Sequence, residues 1–382
     1  MKTIFFALIF ICTFFLPLTG KLIILGSNSP EEQIIYPGEI LEGPDTNIYI
    51  YDSQDAFIKV FSPEGKLIRK IGGKGEGPGQ FKRADGADFG FTPDGKQIYF
   101  TEFIRGHNWI TYLNMEGELV KTVKYNIKGS YGILHAVPHR NGSIYLHKET
   151  YGKEILKSGI YYSIYSSEIL TIDSSGSVKT TILKREHSDR ISFIRGGGDM
   201  GIPFSRKFIW VANGKGEIIF TDGTSSQLEV YDIKGSLKKT ITVPVPEQEI
   251  VTKEDLAKWR KEKKAIFVGN KKAWYKRFGS VIEKYTRSIF KFKPVILGMS
   301  LTPSGNIFLK CRTKEKDKFK YVLTKIDGEL ISESISELQR VKITKNYVFF
   351  IRISEEEEQE ISFMKRSGGE TKGLCKVFDL SH

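Results

Sequence analysis

One pattern constrains this chain more than any other: a strand–turn–strand unit that recurs six times. "DTNIYIYDS", "DGKQIYFTE", "NGSIYLHKE", "KGEIIFTDG", "SGNIFLKCR" and "KNYVFFIRI" align as one element, a short strand closed by a turn rich in Gly, Asp, Asn or Pro. Each is followed by a second hairpin, as in "IKVFSPEGKLIRKIG", "ITYLNMEGELVKTV" and "LEVYDIKGSLKKTITV". A short apolar strand precedes each unit, such as "GADFGF" before the second and "VILGMS" before the fifth. Six units of four antiparallel strands follow. A lone sheet of this kind leaves apolar faces open to water, and stacking the sheets radially about an axis covers them. The expected fold is all-β, a six-bladed β-propeller of four-stranded antiparallel blades. A β-sandwich suits the strand lengths but not the sixfold register of paired turns.

The 382 residues, 40% hydrophobic and 12% aromatic, supply ample core for such a ring. "MKTIFFALIFICTFFLPLTG" has a lysine and then an apolar run too short to span a bilayer comfortably, the layout of a secretory signal. The expected organisation is a signal peptide over 1–20 and a propeller over 21–382, with a helical insertion at 247–293. The protein is expected to be exported (periplasmic, cell-surface or secreted), an uncleaved N-terminal anchor being the alternative. Only Cys311 and Cys375 follow the signal, so no disulfide framework is available. Cys311 falls in the second strand of blade five and Cys375 in the expected last strand of blade six.

"IGGKGEGPGQF" at Ile71–Phe81 raises the possibility of a phosphate loop. Such a loop needs a helix directly after it, and "FKRADGADFGF" reads as loop and strand. The glycines are read as a crossover from blade one to blade two, with Phe81 plugging the gap between the sheets. The first unit as a whole, "NIYIYDSQDAFIKVFSPEGKLIRKIGGKGEGPGQF", resembles an NHL-type repeat, and the chain resembles exported bacterial six-bladed propellers related to NHL-repeat proteins. That resemblance implies the fold; members of such families do different things on one scaffold.

Antiparallel blades sort their connections. First-to-second and third-to-fourth turns share one face, and here they are tight: "PDG", "RNG", "PSG", "PEG", "MEG", "IDG". The long excursions, Gly72–Gly86, Glu102–Asn108, His147–Ser167, Lys184–Lys207 and Pro244–Pro294, are assigned to the opposite face, where a ligand is expected. The largest of them holds most of the chain's charge. Between Lys253 and Lys293 lie 14 basic and 4 acidic residues, against a net charge of +13 overall. "VTKEDLAKWRKEKKA" opens with a capping box of Thr252 and Asp255, and Trp274, Phe278, Ile282, Tyr285 and Ile289 recur at helical spacing. Trp259, Lys261, Lys263, Lys264, Lys271, Lys272 and Trp274 are the candidate binding residues of this basic flap. Its expected partners are an anionic glycan, a lipid surface or a protein; export argues against nucleic acid. The bland alternative is a lid packed on the rim with solvated lysines.

No catalytic constellation stands out and no cofactor motif is present. "LHAVPHRNGSIYLHKE" makes His135, His139 and His147 candidates for a metal such as zinc, and the resemblance to NHL-type amidating lyases, whose metal is held by histidines, adds to that. Their positions, one in a strand, one at a tight turn and one at the far end of the next strand, are expected to keep them apart. Asp52 is read as a cap for backbone amides, and "SEEEEQE" at Ser354–Glu360 as a solvated loop with a calcium option. The expected function is thus an exported binding module, the alternative being a metal-dependent propeller enzyme, a lyase or lactonase-like hydrolase, with its site at the central channel.

Overall fold

Among the described residues, twenty-five strands fall into six antiparallel sheets in the computed structural model. It describes residues 22–366 apart from 27–28, 82–87, 103–108, 126, 128–131, 141, 158–159, 193–198, 202, 267–290, 316 and 354–358. Strand β1 (Ile23–Leu25) is followed by blade one: β2 (Pro37–Glu42), β3 (Ile48–Asp52), β4 (Phe57–Phe61) and β5 (Leu67–Gly72). Blade two is β6 (Asp88–Phe91), β7 (Gln97–Thr101), β8 (Trp109–Asn114) and β9 (Leu119–Lys124). Blade three has five strands, β10 (Gly132–Pro138), β11 (Ile144–Lys157), β12 (Ile160–Ile172), β13 (Val178–Ser192) and β14 (Asp199–Gly201). Blade four is β15 (Ile209–Ala212), β16 (Ile218–Thr221), β17 (Gln227–Tyr231) and β18 (Leu237–Thr242), and helix α1 (Lys253–Ile266) follows it. Blade five is β19 (Ile296–Leu301), β20 (Ile307–Arg312), β21 (Phe319–Thr324) and β22 (Leu330–Ser336); blade six is β23 (Arg340–Ile343), β24 (Tyr347–Ile353), β25 (Gln359–Lys365) and, outermost, β1. The protein is a six-bladed β-propeller.

Burial follows the radius. Every residue of β3 is buried, whereas β9 and β18 bury one residue in six. The middle strands are covered on both faces by neighbouring blades, so their sequences are apolar at odd and even positions alike. Six apolar clusters result, one at each junction between adjacent blades. Tight turns close one face with a repeated bond from a glycine N–H to the carbonyl three residues back, as in Gly65 to Ser62, Gly95 to Thr92 and Gly328 to Lys325.

The glycine loop is a crossover between blades. Gly72 and Gly73 adopt φ of 93° and 104°, and a side chain on Gly73 would stand 2.9 Å from the Phe57 ring. The loop folds back on itself, Phe81 N–H donating to Gly73 O (2.8 Å) and Gly75 N–H to Phe81 O (2.9 Å). Phe81 is buried and stacks on Phe100, centroids 3.7 Å apart, within the cluster joining blades one and two. Asp52 caps amides as expected: it accepts from the N–H groups of Ile35 (3.0 Å), Tyr36 (3.1 Å) and Gln54 (3.2 Å), and it pairs with buried Lys59 at 2.8 Å. Burial opposes its ionisation, but the lysine and those amides together hold the carboxyl below its ordinary range.

Several expectations are corrected. The excursion at His147–Ser167 and the first part of that at Lys184–Lys207 are strands, not loops. β11 and β12 run for 14 and 13 residues and β13 for 15, where second and third strands elsewhere have 4 to 7. "EILK" and "IYYSIYSS" are rich in β-branched and aromatic residues, which continue a ladder readily once it is begun. The last strand of blade six is β1, paired Ile23 to Phe363 and Leu25 to Ile361, and not the stretch around Cys375, which lies outside the described residues. Cys311 is a free thiol buried in β20, and burial pushes its pKa up to about 12. Gln359 and Glu360 of the acidic run begin β25, and the rest of that run lies outside the described residues, as do 1–20 and the second expected flap helix. No helix of the described residues is long and apolar enough to cross a membrane.

Candidate functional site

The innermost strand of each blade runs from the long-loop face toward the tight turns, so its first residues stand at the long-loop mouth of the axis. Between these strands lies a cavity of about 630 Å³, to which all six blades contribute. Arg340 and Asp88 open their strands and stand nearest the mouth; Glu39, His135, Trp210 and Met299 come from the other four.

The wall at blades five, six and one is cationic. Arg340 donates from Nη2 to Glu39 at 2.7 Å and from Nη1 to Gly38 O, and Lys342 contacts the other oxygen of the same Glu39 carboxylate. Lys310 reaches across from β20, donates to Gln339 O and sits 3.6 Å from the Phe319 ring centroid. Burial, with Arg340 adding repulsion, pushes Lys310 down to about 8; burial alone pushes Lys342 to about 7, and the carboxylate beside it pulls the other way. Opposite, at blades two and three, Asp88 pairs with Nδ1 of His135. Burial opposes a charge on that imidazole, and the Asp88 carboxylate outweighs it, so its pKa is raised. Phe91, Tyr99 and Trp210 supply aromatic surface between these polar groups.

His135 and His147 face one another across the β10–β11 ladder and both abut Trp210, at 5.2 and 6.4 Å between centroids. The expectation that the three histidines stay apart therefore holds only for His139, which lies at the tight-turn end beside Tyr145. The reason is register: in an antiparallel hairpin, residues equally far from the turn pair across the ladder, and His135 and His147 each stand three positions from the closing Pro138–Ile144 pair. His147 stacks on Phe208 at 4.6 Å, and burial, then the neighbouring His135 and His187, push its pKa down to about 3. Behind it, Nε2 of His187 faces both Ser167 Oγ (2.8 Å) and Glu149 (3.6 Å). A nucleophile triad needs its acid on the other ring nitrogen, and Ser167 is fully buried, so this trio is not one. Among the described residues no group of three or more His, Cys, Asp or Glu is arranged to hold a metal ion.

The flap begins as the sequence implies. Thr252 and Asp255 cap each other reciprocally, Asp255 N–H to Thr252 Oγ1 at 3.1 Å and Thr252 N–H to Asp255 Oδ2 at 2.9 Å. Its two ends are tied by the Ile250–Phe292 bridge and by Lys293, which binds Glu249 (2.8 Å) and Asp255 (2.9 Å). Leu256 is buried, and Trp259 lines a second cavity of about 470 Å³ between α1 and blade five. Phe204, at φ 58°, lies there between Lys293 and Arg312, 5.8 and 5.7 Å from its ring. Lys261 is exposed on α1. Lys263 and Lys264 belong to the helix but their side chains are not described; Lys271, Lys272 and Trp274 lie outside the described residues. The flap residues are thus partly placed, and the channel residues were not anticipated. Their signal was the charge in "RVKI" and "GEILE", inner strands in which the repeat calls for apolar positions.

Fold and cavity together define a six-bladed propeller with a ligand-sized, largely aromatic and cationic channel. A family model described as a 6-bladed beta-propeller matches residues 31–201. No curated protein matches the sequence. Among solved structures, a candidate exported protein of Bacteroides fragilis is similar at TM-score 0.51 and 13% identity, over 92% of this chain and 96% of its own. A DUF4221-family member from Bacteroides vulgatus gives 0.49 and 11%, over 91% and 96%. Virginiamycin B lyase from Staphylococcus aureus gives 0.41 and 11%, over 90% and 99%. At such identities the likeness is one of fold alone.

Proposed function

We propose that the chain is an exported binding propeller that receives a small ligand at the long-loop mouth of its central channel. The supporting observation is the cavity itself: about 630 Å³, reached by side chains of every inner strand, with apolar and aromatic surface around a few charged groups. That is the usual make-up of a small-molecule site. Export rests on the apolar leader, and the Bacteroides fragilis protein of like fold is itself described as a candidate exported protein. The basic flap, with Trp259 and Lys261, flanks the same face and is assigned to contact with an anionic glycan or lipid surface.

Gly298 offers a clean test. A Cβ there meets only Lys310 Cβ, at 3.8 Å, so a large side chain can enter the cavity without displacing backbone. Gly298→Phe should abolish ligand-induced stabilisation by hexoses, hexuronates or hexose phosphates while leaving the unliganded melting temperature within about 2 °C. Stabilisation that survives in Gly298→Phe overturns the channel reading. The alternative, an enzyme acting at this channel, has the Asp88–His135 pair in its favour, since a carboxylate-oriented imidazole can move a proton. Turnover lost in His135→Gln with binding retained would establish it.

A further inference from the structure

Resting on the channel site just proposed, we infer that its ligand is an anionic sugar, a sugar acid or sugar phosphate, whose negative group is held by Lys310, Arg340 and Lys342. The inference comes from an imbalance of charge. Three basic side chains line one side of the cavity, and the one carboxylate beside them, that of Glu39, is taken by Arg340 and Lys342. The other acid of the cavity, Asp88, stands across the channel and is paired with His135. Lys310 has no carboxylate within ion-pairing distance among the described residues; its ammonium meets a backbone carbonyl and an aromatic face, with Arg340 as a like-charged neighbour.

Such an arrangement costs stability in the empty protein. Cations out of bulk water need a counter-charge, and crowding them raises the cost. A structural cation has its acids at hand, as Lys59 in blade one has Asp52 at 2.8 Å and Asp55 at 3.1 Å. Here an incoming anion supplies what is missing. Arg340 spends two of its guanidinium N–H donors on Glu39 and Gly38 O, and the remaining donors suit a planar carboxylate or a phosphate. Phe91, Tyr99 and Trp210 border the same space and offer apolar faces to a ring. Anion on one wall and ring on the other is the chemistry of a charged saccharide.

Calorimetry with four probes, galacturonate against galactose and glucose 6-phosphate against glucose, tests this. One anion at least should bind tenfold or more tightly than its neutral parent, and which one does separates carboxylate from phosphate. Lys310→Met, which keeps the aliphatic stem, should cut that preference at least tenfold. Arg340→Gln should do the same, and thermal melts of both variants check that they fold. If no probe binds, or the anions bind no better than their parents, the anionic class is overturned. If galactose or glucose binds and Gly298→Phe abolishes it, the channel site stands without it. If Gly298→Phe leaves binding intact, the channel site itself is lost.

Discussion

Phe81 shows how one side chain gives a glycine-rich stretch its meaning. Its ring, 1% exposed, stacks on Phe100 and meets Tyr51 edge-on, so Phe81→Ala leaves a cavity between two blades and should destabilise by about 3–5 kcal/mol in denaturant unfolding. Lys74→Ala in the same loop should change neither stability nor any response to nucleotide. A nucleotide-dependent rise in melting temperature lost in Lys74→Ala would restore the phosphate reading. His147 makes a different prediction. Its neighbours are His135, His187, Phe208 and Trp210, with Glu149 beside His187, and its pKa of about 3 lies well below the unfolded value near 6.5. The unfolded chain therefore takes up a proton that the native one refuses, and stability falls as pH drops below about 6.5. Between pH 6.5 and 5 the loss should be about 2 kcal/mol, and His147→Phe should flatten that slope. Asp52 was legible from its place after a strand. The His135–His147 pairing was not, because it depends on a register that residue types alone do not specify.

At the level of elements, the repeat announces itself because burial on both faces demands the same apolar run in every blade. Blade six is instructive. The sequence assigns its outer strand to the stretch after β25, since that order holds in the other five blades, yet the ladder is completed by β1. Three residues carry too little pattern to be read as a strand, and their partner is far along the chain. Leu25, 6% exposed in the cluster between blades six and one, is the anchor. Leu25→Asp should cost about 3 kcal/mol or more by burying an unpaired charge, whereas Ile24→Asp, on the 41%-exposed side, should stay within about 0.5 kcal/mol. Equal effects would mean that β1 does not hold the blade. The extended β11–β12 hairpin escaped notice for a related reason: it breaks the period that revealed everything else.

Over the whole molecule, charge is concentrated rather than spread, with an excess of ten positive residues in the flap. Replacing Lys261, Lys263, Lys264, Lys271 and Lys272 together with Gln should abolish co-sedimentation with anionic liposomes or retention on an acidic glycan, without lowering the melting temperature. Binding by the wild type should weaken as the Debye length falls from about 10 Å at 0.1 M salt to about 3 Å at 1 M. Identical behaviour of wild type and variant in both assays would reduce the flap to a lid. The clasp between blades six and one also sets a schedule. Glu39 and Lys342, 303 residues apart, meet only when the ring shuts, and β1 must wait for β25. Pairings of such separation form slowly, because loop closure precedes any reward from contact. A chain threaded through a membrane from its N-terminus would carry β1 across early and unpaired, with the edge of blade one bare, until β25 followed. The clasp thus acts as a timer: the ring is committed to its shape only once nearly all of the chain is there to be closed.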